Sequence, residues 1–154
     1  MPVKKIVTIG EPILRQRANE VDPNEIRTDT FRRMVEDMIE TMRSAQGVGL
    51  AAPQVGMNRR LFVADTSAGP IALINPKFTK MSKKTALYEE GCLSVPGKYD
   101  SVRRALEVDV EALTIGGEKI AFTAKGFFAR VMQHEMDHLD GILFVDRIKE
   151  QNET

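Results

Sequence analysis

The 154 residues include one cysteine, Cys92, and two histidines, His134 and His138. A lone thiol cannot close an intramolecular disulfide, which fits a reducing compartment. Three Cys and His residues also cannot build a closed structural zinc site, which takes four such ligands. Charge excess is missing as well. Lys plus Arg and Asp plus Glu both number 22, whereas broad nucleic-acid binders carry a basic surplus. No apolar run is long enough to span a bilayer, and Met1-Pro2-Val3-Lys4-Lys5-Ile6-Val7 lacks the apolar stretch of a signal peptide. Repeats and low-complexity tracts are absent apart from a polar tail over residues 149–154. The expectation is a protein that is not secreted, with no membrane partner and no specific nucleic-acid partner.

What is present suits one globular domain. A hydrophobic share of 42% in a chain of this length supports a single core, placed here in residues 1–148. Gly10, Pro12 and Pro23 break the opening segment into a short strand followed by irregular chain. A helix follows, from a cap at Thr28 or Asp29 to about Ala45. Its residues Phe31, Met34, Val35, Met38, Ile39 and Met42 line one face at helical spacing, and its methionines read as core packing. Strands are expected over 60–66, 71–75, 86–93, 106–113 and 119–123, with Gly116-Gly117 as a hairpin turn. A last helix runs from Ala124 or Lys125 to Leu139, and Gly141 suits a left-handed cap after it. Strands gathered between helices predict an α+β fold: antiparallel or mixed sheets around a central C-terminal helix, with the N-terminal helix packed on the sheet.

The histidines flank a glutamate in Gln133-His134-Glu135-Met136-Asp137-His138. Residues four apart on a helix are rotated by about 40° and rise about 6 Å, so both imidazoles can face one ion. Two histidines alone bind a divalent ion weakly, and a third protein ligand would leave one position open for water. Downstream, where some zinc proteases with this motif place a third histidine, stands Phe144. Glu150 and Glu153 fall in the polar tail, read here as frayed chain. Cys92, in Glu89-Glu90-Gly91-Cys92-Leu93-Ser94, is the stronger candidate, because a strand-to-turn context can hold a thiolate rigidly.

With Gly47-Val48-Gly49-Leu50-Ala51-Ala52-Pro53-Gln54 and the segment continuing to Leu139, three motifs stand in an order and at separations that resemble the peptide deformylases. Weaker similarity extends from Pro12-Ile13-Leu14-Arg15 to Leu143-Phe144-Val145-Asp146-Arg147. The resemblance implies hydrolytic removal of the formyl group from the initiator methionine of nascent bacterial or organellar polypeptides, with release of formate. It implies Cys92, His134 and His138 as ligands of one divalent ion, with Fe(II) expected and Zn, Ni or Co able to replace it. Glu135 is the implied general base and acid. Helical geometry alone does not select it over Asp137, which is left as a salt-bridge residue. Gln54 and the backbone N–H of Leu93 are implied oxyanion donors; read without the motif, Gln54 is an ordinary exposed loop residue. Gly49 is expected where the backbone must approach water and substrate without a Cβ, or simply where a helix ends.

A methionine side chain calls for an apolar pocket beside the metal. Phe127, Arg130 and Val131, about one turn before His134, and Val48 are the expected lining, with the Arg130 stem in the pocket and its charge solvated. Phe128 and Met132 fit core packing at least as well. The resemblance implies that the peptide backbone adds as a strand beside the segment from Gly47 to Gly49. Arg104 matches a basic residue that contacts substrate in relatives, or is a solvated strand charge. Expected partners are nascent formyl-Met polypeptides and a transient ribosome contact, although the long basic C-terminal helix of some members has no counterpart after Arg147. The expected location is the bacterial cytoplasm or an organellar matrix. A general metalloprotease and a non-catalytic peptide binder are the competing readings. The missing downstream ligand counts against the first, and Glu135 against the second.

Overall fold

The computed structural model describes residues 3–153. Helix α1 (Asp29–Ser44) starts where Thr28 Oγ1 accepts the Phe31 N–H at 3.2 Å, a side-chain cap that satisfies one of the donors a helix leaves open at its N-terminus. Its stripe of Phe31, Val35, Met38 and Met42 is buried. The stripe packs on Leu50, Leu61, Val63 and Ile74, and burying each side chain of this size contributes about 1.5–3 kcal/mol.

Strands β1 (Gly49–Ala51), β2 (Leu61–Thr66), β3 (Gly69–Met81), β6 (Glu107–Leu113) and β7 (Lys119–Lys125) form one sheet in the order β1-β2-β3-β6-β7. Every pairing in it is antiparallel. Strands β4 (Thr85–Cys92) and β5 (Val95–Ala105) form a separate antiparallel pair. Helix α2 (Gly126–Leu139) packs on the sheet face opposite α1. The period-2 alternation of β2 sends Leu61 and Val63 to α1, and Phe62 and Ala64 to the core shared with Met132, Met136 and Leu139 of α2. Both faces of β2 are therefore covered, and its first four residues are all buried. Helix α3 (Phe144–Asn152) closes the described chain.

Several sequence expectations change. The described part of the opening segment, from residue 3, forms no strand. It carries 3-10 turns at Pro12–Arg15 and Pro23–Glu25, and its backbone ties distant parts together through Val7 N–H to Gln54 O and Ile9 N–H to Ser94 O, both 2.8 Å. Strand β3 continues beyond Asn75 because a register shift absorbs the Asn75-Pro76 step. Asn75 takes φ +51° there, and its side chain brackets the Val21 backbone at 2.8 and 2.9 Å. Strand β5 was not foreseen; its residues from Pro96 to Ser101 are exposed. The supposed frayed tail is helical through Asn152, so the boundary at 148 falls inside α3. Gly141 does take the left-handed turn after α2 at φ +76°, where a Cβ would lie 2.6 Å from Arg15 O. No helix of the described residues is long and apolar enough to cross a membrane.

Candidate metal centre

Cys92 ends β4 and pairs with Val95, so Leu93 and Ser94 form the tight turn into β5. That turn presents the thiol to the inner face of α2. The one-turn spacing of His134 and His138 brings their ring centroids to 5.0 Å at 71°. Cys92 Sγ lies 3.3 Å from His138 Nε2, and ligand atoms of all three residues fall within 4.8 Å of one another. One thiolate and two imidazoles within that span suit a borderline divalent transition ion.

The electrostatics agree with that donor set. Burial lowers the His134 pKa, but hydrogen bonds to Cys92 and Glu90 outweigh burial and raise it to about 10. In the metal-free protein His134 therefore keeps its second proton, which an ion would have to displace. His138 has the opposite balance: burial holds it well below its ordinary value, in the neutral form that ligates. Glu90 sets the orientation of His134, whose Nδ1 meets Glu90 Oε1 at 2.9 Å. An ionised carboxylate only accepts, so Nδ1 carries a proton toward Glu90, and a metal ion would take the place of the second proton, on Nε2. Burial would raise the Glu90 pKa, but bonds from His134 and Arg104 hold it at about 2.

Glu135 is 4% exposed, and burial pushes its pKa up to about 7. Its Oε1 is buried without a hydrogen-bond partner, which fits a site that also receives water. Gln54 is not the exposed loop residue that its sequence context suggested. It is 2% exposed on a 3-10 turn (Ala52–Val55), accepts the Ala51 N–H at 2.9 Å, and directs Nε2 at Ser94 Oγ (3.1 Å) and Cys92 Sγ (3.6 Å). Gly49 borders Glu135 directly, and a Cβ there would lie 2.5 Å from Glu135 Oε2.

One open cleft of ≈ 480 Å³ is lined by Gly47, Val48, Gly49, Gln54, Cys92, Leu93, Phe127, Arg130, Val131, His134 and Glu135. Of the expected site residues, His138 and Arg104 are not part of its lining. His138 sits behind it, with Nε2 3.3 Å from Cys92 Sγ. For Arg104 the reading as a solvated strand charge is wrong. It is 5% exposed, grips Glu90 with Nε and Nη2 at 2.9 and 3.0 Å, and reaches Asp137 with Nη1 at 2.6 Å. Two buried carboxylates draw it inward. The Arg130 stem does line the cleft, but its charge is not solvated: the guanidinium bonds Glu90 Oε2, Val102 O and Ala86 O at 2.7–2.8 Å. Downstream, Phe144 stacks on the His134 ring at 6.3 Å, while Glu150 points outward to Arg147 with its side chain 71% exposed. Neither supplies a ligand.

Glu90 and Ser94 were missed as contributors. The signal for Glu90 was available, because in a strand residues i and i+2 share a face, which puts its carboxylate on the Cys92 side.

The chain matches the family model for polypeptide deformylase over residues 3–154. It is 49% identical over 150 residues to a peptide deformylase of Halothermothrix orenii, with 96% of this chain and 95% of that protein covered. A crystal structure of peptide deformylase from Thermotoga maritima is similar at TM-score 0.91 and 41% identity, covering 96% of this chain and 98% of that one. A Met-Ala-Ser-bound class I type b peptide deformylase from Acinetobacter baumannii gives TM-score 0.90 at 37% identity, covering 95% and 98%. The chain belongs to the polypeptide deformylase family.

Proposed function

We propose that the chain hydrolyses the formamide bond of N-formylmethionyl peptides, releasing formate and a free α-amine. Metal-dependent deformylation is the activity of its family. The observation that carries the reading here is the meeting of Cys92, His134 and His138 beside a buried, partner-poor Glu135. The ion they would hold, Fe(II) by resemblance, supplies Lewis acidity that makes a nearby water ionisable near neutral pH.

Glu135 takes the proton from the attacking water and passes it to the departing nitrogen as the C–N bond breaks. A pKa near 7 suits both halves of that task. As water adds to the formyl carbon, charge gathers on the formyl oxygen. Gln54 Nε2, already aimed at the Cys92 side of the cleft, and the Leu93 N–H are the donors for it. The methionine side chain fits against Val48, Phe127, Val131 and the Arg130 stem.

Peptide binding follows from the sheet order. Among the described strands β1 bonds only β2 and is an edge, and its Gly49, with the preceding Gly47 and Val48, lines the cleft. An extended peptide can pair with the edge through its backbone, which accepts many sequences. Nascent chains near the ribosome are the natural source of such ends, and the bacterial cytoplasm or an organellar matrix is the setting, where a free Cys92 thiol survives.

The test is a formate-release assay on a formyl-Met peptide, using protein purified anaerobically, with the peptide products analysed. Formate without internal cleavage supports the reading. Internal cleavage, or no formate from a metal-loaded sample, contradicts it.

A further inference from the structure

Helix α3 stands outside the cleft, yet charged groups with no part in the reaction tie it to the back of the metal site. Asp137, on the α2 turn between Glu135 and His138, receives arginines from two sides. From α3, Arg147 reaches it with Nη2 at 2.7 Å and Nε at 3.1 Å. From β5, Arg104 Nη1 reaches the same carboxylate at 2.6 Å, and the other edge of that guanidinium grips Glu90. Glu90 in turn holds His134 Nδ1.

The sequence of contacts is Arg147–Asp137–Arg104–Glu90–His134, with charges alternating up to the imidazole. The Arg104, Glu90 and Asp137 side chains are only 4%, 5% and 9% exposed. Charges this deep depend on one another, because removing one leaves the next buried and uncompensated. Only Arg147, at 36%, is accessible, so it is where the chain of contacts can be cut without opening the core. Helix α3 also presses directly on the site: Phe144 stacks on His134 and packs in the cluster that includes Cys92. Gln151 anchors its far end to the Arg103 N–H and Ser101 O of β5.

We infer that α3 retains the metal. Through Asp137 and Arg104, Arg147 fixes the Glu90 carboxylate and thereby the aim of His134, so Arg147 and Arg104 are positioning residues for a ligand they never touch. The inference rests on the metal reading given above. A simple staple between two helices would change stability without any dependence on Glu90.

The experiment loads wild type, Arg147→Met, Glu90→Gln and the double variant with Ni(II) and follows metal loss to excess chelator. Arg147→Met should release Ni(II) about tenfold faster, the low end of what losing a partner behind a ligand costs. The same change added to Glu90→Gln should have no further effect, the non-additivity expected of one connected path. Arg147→Lys should recover part of the loss. Wild-type release from Arg147→Met overturns the inference, and so does an equal factor in both backgrounds. If Glu90→Gln does not fold, Arg104→Lys replaces it as the second background with the same outcomes. A wild type that holds no Ni(II) sinks the metal reading as well, whereas tight wild-type binding with an inert Arg147→Met sinks this inference alone.

Discussion

A Cβ on Gly49 would lie 2.5 Å from Glu135 Oε2 and 2.9 Å from its Cδ. The glycine leaves room for Glu135, the proposed general base, whose carboxylate occupies the volume a side chain would fill. No positive φ is involved, so the constraint is steric. Gly49→Ala should fold and keep its metal, because the three ligands lie elsewhere. Glu135 must move, and a displacement on the scale of an ångström costs about 10²-fold in turnover. We expect kcat to fall by that order with KM little changed. Wild-type kcat in this variant would show that Glu135 is not confined as described.

Glu135→Gln preserves the shape while removing the proton acceptor. Metal content should match wild type, and turnover should drop about 10²- to 10⁴-fold. Paired metal analysis and formate release check this. A variant that loses the ion instead would make Glu135 a ligand and leave the proton transfers without an agent.

Glu90 gives the metal-free protein an acid-sensitive component. Burial alone would raise its pKa, yet His134 and Arg104 hold it at about 2 against an ordinary 4.5. A carboxylate with a depressed folded pKa contributes stability that is complete above about pH 4.5 and lost as pH falls towards 2. The gap is worth about 3 kcal/mol. Denaturant unfolding of metal-free protein between pH 5 and 3 should show wild type losing stability more steeply than Glu90→Gln. Parallel pH profiles would contradict the depressed value.

The pairing of the two histidines was legible because helix geometry is local: four residues of spacing place His134 and His138 on one face before any tertiary contact is known. The stripe of α1 was legible for the same reason. Cys92 stood out as the lone thiol in a strand-to-turn context, but its meeting with the histidines was not legible, since nothing local brings β4 against α2. Arg104 and Arg130 were misread because a strand or helix arginine is solvated by default. Their burial follows from Glu90 and Asp137, which come from other parts of the chain and reveal themselves only after folding. Strand β5 was hidden for a related reason: its polar, exposed stretch, with Gly97 at φ +77°, resembles a loop until β4 pairs with it.

On the proposed function, one sulfur and two imidazole nitrogens hold a single ion. X-ray absorption of the Co(II)-loaded protein reads that ligand set directly. One cobalt per chain, bound by one sulfur and two histidine nitrogens as its only protein ligands, is the predicted result. A spectrum without sulfur, or with a fourth protein group on the ion, would contradict it.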